Sequence, residues 1–414
     1  MGRESTERGV QPICGNLGRS LSDSLASTQR TVAVLATATF LSGMGVRICD
    51  GLIPRIASDF QVSFGQAGLT VTVFATAYAV LQLAFGPLGD RIGKAPVVFA
   101  AVCGSAVFAL VSAFAGSFAQ LLAWRAVWGM AAAGVVPLAM AWIGDSVELE
   151  DRQPMLARLL LGTLSGMTLD TLAGGLFADA GIGWRGAFAS IAAAYVLVLV
   201  VMFQRFQAMG WRTATAPSTV APHKQWLEVL RNRWSWVVLG GAAAEGMLLF
   251  GPVAFMPTVV HHRWNWSLTA SSALLSLFAV GGVVYAIAAR TIVRRLGQVR
   301  MARTGGWIMG IGYLGWLLTP WPWLTGPIAL AVGFGAYLYH NTLQTHATQM
   351  APSARATAMT MFAFMLFLSQ AIGAALAGFA FDHLGLAWML LPPAVLLPLA
   401  GLGFARALTK RAQA

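Results

Sequence analysis

The sequence predicts an all-α membrane protein, with twelve transmembrane helices arranged as two pseudo-symmetric six-helix bundles. Three observations lead there. The first is composition: the 414 residues are 57% hydrophobic and only 10% charged, with a mean hydropathy of +0.69. Water-soluble domains carry about a quarter charged residues, so lipid is the solvent this composition fits. The second is segmentation, because apolar runs near the ~20 residues needed to cross a bilayer recur twelve times. The third is charge asymmetry, which fixes the order and direction of those runs.

The twelve predicted spans are 31–56, 66–86, 96–116, 119–144, 156–178 and 185–206, then 235–258, 268–289, 302–320, 324–346, 357–380 and 387–406. The first opens as "TVAVLATATFLSGMG" and runs into "VRICDGLIP", where Pro54 marks a bend or an end. The second stops at Gly86-Pro87, and most connections are short. The exception is 207–234, a polar loop with two prolines that divides the chain into six plus six. The reading is therefore a cytosolic N-terminal tail (1–30), an N-terminal bundle (31–206), a cytosolic central loop (207–234), a C-terminal bundle (235–406) and a cytosolic tail (407–414). The first 30 residues are polar and lack a signal peptide's apolar core.

With the N-terminus inside, the cytosolic segments carry 22 of the 27 Lys and Arg. The opposite side carries Arg55, Arg185 and Arg263, and the last two, Arg47 and Arg125, fall inside spans. This asymmetry places both termini in the cytosol. It also explains the net charge of +12 without nucleic acid, since the bases form no single patch. Three cysteines, Cys14, Cys49 and Cys103, make no Cys-x-x-Cys pair, disulfide framework or metal knuckle.

The halves resemble each other. "RIGK" ends the second span at 91–94 and "RLGQ" ends the eighth at 295–298, an offset of 204; at the same offset "SFGQAG" faces "SLTASS". Parallel six-helix repeats form transporters with a solute site between the halves near midplane. "GPLGDRIGK", Gly86 to Lys94, is the most specific motif, joining Gly86 and Gly93 to Asp90, Arg91 and Lys94. It resembles the loop Gly-x-Leu-x-Asp-Arg-x-Gly-Arg-Lys of the major facilitator superfamily, with Ala95 where the second base falls. The resemblance implies a latch that closes the cytosolic side, with Asp145 and the stretch from Arg355 to Thr357 as partners.

Further stretches resemble that superfamily's proton-coupled drug and metabolite efflux branch: "LLAWRAVWGMAAA" (121–133, with Arg125 and Gly129), "DGLIP" (50–54), "GWRGAF" (183–188) and "HNTLQTHATQMAP" (340–352). The fifth span, "LGTLSGMTLDTLAGG", supplies Gly162, Gly166, Gly174 and Gly175 of the branch's glycine motif, for helix packing. Asp170 and Thr171 stand where the motif has Gly-Pro.

Five ionisable residues lie inside spans: Arg47, Asp50, Arg125, Asp170 and Glu245. Each costs about 2.5 kcal/mol or more at the centre of an isolated helix, so each should face a cavity or a partner. Asp50 is the expected proton carrier, with Arg125 as counter-charge and Asp170 as the second acid. A structural Asp50–Arg125 pair fixing the first span to the fourth is the alternative. Arg47, at i, i+3 from Asp50, could hold it ionised, and Glu245 could select substrate. In the tenth span Tyr337, Asn341, Gln344 and Thr348 form one polar stripe, either facing a cavity or joining helices. His346 and Met350 have a spacing that could hold copper(I), but one His and one Met at i+4 is a common accident, and no metal or cofactor is expected.

The resemblance implies a monomeric transporter of the bacterial inner membrane. It would export a small organic solute in exchange for protons; proton symport importing a nutrient or metal complex is the alternative. No Gly-x-x-x-x-Gly-Lys-Ser/Thr loop is present for ATP. Neither His-Glu-x-x-His nor Gly-x-Ser-x-Gly occurs to suggest an enzyme.

Overall fold

A run of helices begins at Ile13 and ends at Gln413 in this computed structural model, which describes residues 13–147, 149–209, 211, 222–351 and 354–413. The expected tail's residues 1–12, residues 210 and 212–221 of the central loop, Pro352 and Ala414 lie outside the described residues. No strand occurs among those described.

The first expected span is two helices, α1 (Ile13–Arg47) and α2 (Ile53–Phe60), joined by a turn. α1 begins inside the expected polar tail, because no proline interrupts 13–47. Its end is at Arg47, earlier than Pro54 alone suggests. Pro54 sits in the first turn of α2, where a missing N–H costs nothing, and Asp50 falls in the intervening turn. The N-terminal half continues as α3 (Phe64–Ile92), α4 (Lys94–Ala113), α5 (Phe118–Ala132), α6 (Val135–Ser146), α7 (Leu149–Asp179) and α8 (Gly183–Met209). α5 and α6 are one span.

Part of the expected central loop is helical: α9 covers Pro222–Arg231. The seventh span is α10 (Arg233–Glu245), a π-helical turn at Gly246–Phe250, α11 (Gly251–Val253) and α12 (Met256–Trp264). Pro252 has no N–H to offer the carbonyl four residues back, and the chain answers with the wider turn. Then come α13 (Leu268–Leu318), α14 (Thr325–Ala347), α15 (Arg355–His383) and α16 (Leu386–Gln413). Nine described stretches are long and apolar enough to cross a membrane. One of them, α13, is two spans end to end, turned at Gly297 (φ 68°, ψ 165°), a conformation only glycine adopts freely. With α1 and α14 this makes the twelve crossings.

The repeat is visible in the backbone. Gln61 and Asn265 are the two described non-glycine residues at positive φ, both 54°, and each ends the short helix that follows a broken span. Two residues later Ser63 and Ser267 cap the next helix, accepting the N–H of Gln66 and Ala270 at 3.1 Å. Gly93 and Gly297, at the same offset, both take positive φ.

The two halves meet tightly on the face opposite the termini, here called the far face. Asp382 of α15 accepts the Gly65 N–H of α3 at 3.0 Å and the Ser63 hydroxyl at 2.5 Å. Asp179 of α7 accepts the Leu268 and Thr269 N–H groups of α13 at 3.2 and 2.7 Å. Each bundle thus supplies a carboxylate to a helix N-terminus of the other, where backbone donors are unsatisfied and anions are favoured. His262 packs edge to face against Phe64 and Phe381 beside this double clasp, the two Phe rings lying tilted to each other.

Towards the termini the halves part. Along α1, Ala33 and Thr37 are exposed and Phe40, Met44 and Arg47 half-buried, at helical spacing on one face. That face carries Arg47 over the Phe250 ring of the other half, at 5.9 Å. On α14 Gln344 is exposed, as is Thr348 just past its end, while Tyr337, His340 and Asn341 are half-buried. A cleft therefore runs between the bundles from the termini side and stops below the clasp.

Candidate functional site

The cleft ends at the break between α1 and α2. Asp50 is 1% exposed and its Oδ2 accepts from Arg47 Nε at 2.9 Å and NH2 at 2.7 Å. Its Oδ1 is buried without a hydrogen-bond partner. Arg47 is the last residue of α1, so its side chain folds over the turn that holds Asp50.

Arg125 is not the ion-pair partner of Asp50. Fully buried, it donates to the Gly45 carbonyl at 3.0 Å and the Thr70 carbonyl at 3.3 Å. Gly45 lies in the last turn of α1, where carbonyls lose their helical donors. The guanidinium also lies among the rings of Phe74 (4.2 Å), Trp128 (4.8 Å) and Phe188 (5.6 Å). The early end of α1 explains the difference: it frees the carbonyl that takes Arg125 and turns Asp50 back onto Arg47. Arg125 remains within electrostatic reach of Asp50, and its NH2 has no hydrogen-bond partner.

Asp170 of α7 is fully buried. Its Oδ1 accepts the hydroxyl of Thr171 at 3.1 Å and the N–H of the same residue, while Oδ2 has no partner. It feels both Asp50 and Arg47. Two buried acids and one cleft-facing base thus share this corner.

The C-terminal bundle holds a second pair, which sequence reasoning missed. Glu245, the last residue of α10 before the π turn, is 0% exposed and its Oε2 is 2.9 Å from His340 Nδ1. The other oxygen, Oε1, is buried without a partner. His340 belongs to the stripe of Tyr337, Asn341 and Gln344, being i+3 from the first and i−4 from the last. That register was the available signal; a neutral imidazole escapes a count of charged residues. Asn341 donates to the Tyr285 hydroxyl at 2.6 Å, Tyr337 stands 6.3 Å from that ring, and Gln344 faces the cleft mouth. Tyr313 donates to the Leu249 carbonyl in the π turn at 2.6 Å.

The helix-five glycines lie at contacts. A Cβ on Gly162 or Gly166 would overlap the backbone of α1 at Ala36 or Phe40, and one on Gly174 would come within 2.6 Å of the Ile48 carbonyl. Gly175 instead faces the other bundle, 2.5 Å from the Leu268 carbonyl by the same measure.

In the motif loop Lys94, not Arg91, is the base on Asp145 among the described contacts, and Asp90 lies 3.7 Å from Lys94. Lys94 starts α4 just past the turn at Gly93, which aims it inward, whereas Arg91 is exposed beside Trp226. Gly86 has open space around it. Thr357 of α15 donates to Gln225 of α9 at 2.5 Å. His346 is 3.0 Å from Gln298 through Nε2, and no metal-binding cluster occurs among the described residues.

Residues 35–374 match the Major Facilitator Superfamily. A chloramphenicol resistance protein of Streptomyces lividans is 28% identical over 361 residues, 84% of this chain and 88% of that protein. An uncharacterized MFS-type transporter of Bacillus subtilis (strain 168), YybF, is 28% identical over 152 residues, so the match spans 37% of each. The crystal structure of a bacterial homologue of the human lysosomal transporter Spinster, inward-facing and unoccupied, covers 93% of both chains with a TM-score of 0.69 at 18% identity. With twelve crossings in two facing bundles and a family match across most of its length, the chain is an integral membrane protein and belongs to the Major Facilitator Superfamily.

Proposed function

We propose that the protein is a proton-coupled secondary transporter of a small organic solute, with Asp50 as the proton carrier. The observation that carries this is the Arg47–Asp50 pair at the blind end of the cleft. A fully buried carboxylate with one oxygen unpartnered is held by a single base, and that base faces the cleft. Any solute or movement that draws Arg47 away leaves an unpaired buried charge, which costs several kcal/mol. A proton removes that cost. Asp170 is the second candidate acid.

Export, here read as exchange for protons, has the support of a relative whose name records chloramphenicol resistance, which points to outward movement of a drug. Cotransport is the second reading, favoured by the position of Arg47 between Asp50 and the cleft: a solute that takes Arg47 travels with the proton that Asp50 acquires. The charge asymmetry supports cytosolic termini; the family resemblance adds a bacterial inner membrane and a monomer that alternates between a cleft open to the cytosol and one open to the far face. The Asp90, Arg91, Lys94 and Asp145 cluster is the element that would hold the cytosolic side in the second state.

Inside-out vesicles test the reading. An imposed proton gradient should drive solute movement in the native protein and not in Asp50→Asn, with both proteins eluting as the same monodisperse species. Unchanged coupling in Asp50→Asn would remove Asp50 from the mechanism. The sign of the proton flux that accompanies solute entry separates exchange from cotransport.

A further inference from the structure

The two bundles present charge to the cleft in the same order. In the N-terminal bundle the Arg47 side chain is 12% exposed and Asp50 behind it 1%. In the C-terminal bundle His340 is 24% exposed and Glu245 behind it 0%. Asp170 is also fully buried. Among the described residues at membrane depth, the basic heads that reach the cleft are therefore a guanidinium and an imidazole, and the carboxylates are set behind them. Both backing acids spend one oxygen on their partner and keep the other free of hydrogen bonds. A site built for an ammonium would place a carboxylate in front.

We propose that the cleft binds a small organic carboxylate, anchored by Arg47 from one bundle and His340 from the other. This rests on the reading of Asp50 as proton carrier, and it favours cotransport. A guanidinium suits a carboxylate because its planar donors can hold both oxygens at once. Arg47 also lies over the Phe250 ring, which offers a flat apolar surface beside the charge. Arg47 meets Phe250 and His340 meets Glu245, five residues apart on one helical run, so the two anchors contact the same segment.

The carboxylate displaces Asp50 from Arg47, and Asp50 is neutralised by a proton. The other charged or titratable groups around this pair are the Cys49 thiol in the same turn, Asp170 from α7, Arg125 from α5 and Tyr313 from α13. None of them replaces the lost cation: Arg125 is committed to the Gly45 and Thr70 carbonyls. Around His340 stand Glu245 from α10, the hydroxyls of Tyr337 and Tyr339 near that acid, and the Phe362 ring of α15. A protonated His340 pairs with Glu245 through Nδ1 and offers its remaining N–H to the solute.

Three probes of one shape decide the matter: benzoate, benzyl alcohol and benzylamine, added to the purified full-length protein in detergent. Thermal unfolding reads binding, and an indicator dye in weak buffer reads proton uptake. Benzoate should stabilise the protein at concentrations at which the alcohol and the amine do not. Arg47→Gln and His340→Gln should each weaken benzoate by about tenfold, the scale of one lost charge-assisted hydrogen bond, with Arg47→Lys recovering part. If Arg47→Gln does not fold, His340→Gln and Arg47→Lys carry the test. A preference for the amine, an equal response to all three, no response to any, or indifference of benzoate to these substitutions would overturn the proposal. Proton uptake with benzoate should vanish in Asp50→Asn while binding persists. Arg47-dependent binding without proton uptake in the native protein would leave the anion assignment standing and refute Asp50 as the carrier.

Discussion

Cutting the far-face clasp should tip the transporter towards the state open on that face. Asp382 receives one backbone N–H and one hydroxyl, and Asp179 two backbone N–H groups. Hydrogen bonds to a charged acceptor contribute about 1.5–3 kcal/mol each when buried. Here Asp382 is half-buried and Asp179 exposed, and solvent screening reduces the value to about 1 kcal/mol or less per bond. Asparagine keeps one acceptor and loses the charge, so Asp382→Asn should cost the closed far face about 1–1.5 kcal/mol, or roughly tenfold in population. The Asp179→Asn change should act in the same direction and more weakly. The two clasps share no residue, so their effects should add to roughly 30- to 100-fold. Spin labels at Ser58→Cys and Trp321→Cys, both exposed far-side positions, report the separation of the bundles. The background is Cys14→Ser with Cys103→Ser, leaving the buried Cys49. Pulsed dipolar spectroscopy should show a long-distance population growing from the native protein through Asp179→Asn and Asp382→Asn to the double mutant. An identical distance distribution in native and double-mutant protein would refute the clasp as a gate.

Three more substitutions probe packing. Gly175→Val should act between the bundles, because a Cβ there would lie 2.5 Å from the Leu268 carbonyl; the same spin labels should move apart without loss of folded protein. Gly166→Leu should act within one bundle, forcing α7 off the Phe40 backbone, and lower thermal stability by about 1–3 kcal/mol or more, the usual cost of overpacking. Tyr313→Phe should leave the Leu249 carbonyl without its donor, costing about 1–3 kcal/mol in a thermal unfolding series.

The fold was legible because lipid imposes a length and a charge rule on every span, and neither depends on tertiary detail. The site was legible only in part. Asp50, Asp170 and Glu245 announce themselves as acids in apolar runs, but the base each one meets depends on where the helices break. Pro54 signals a break near the end of the first span, yet the turn falls between Arg47 and Ile53, and that shift exchanges Arg125 for Arg47 as the partner of Asp50. His340 was hidden because a count of Lys, Arg, Asp and Glu passes over histidine. The clasp was hidden by distance: Asp179 and Asp382 sit at helix ends, like many solvated acids, and their partners lie 89 and 317 residues away.

The π turn after Glu245 gives helix length a chemical meaning. A π turn holds about one residue more than an α turn, so the segments on its two sides are phased about 100° away from where an unbroken helix would set them. Glu245 on one side reaches His340, and Leu249 within the turn reaches Tyr313. A chain one residue shorter here would keep the same apolar surface yet turn one of those two groups away from its partner. In this stretch a deletion rewrites the wiring of the cleft without changing any of the residues that line it.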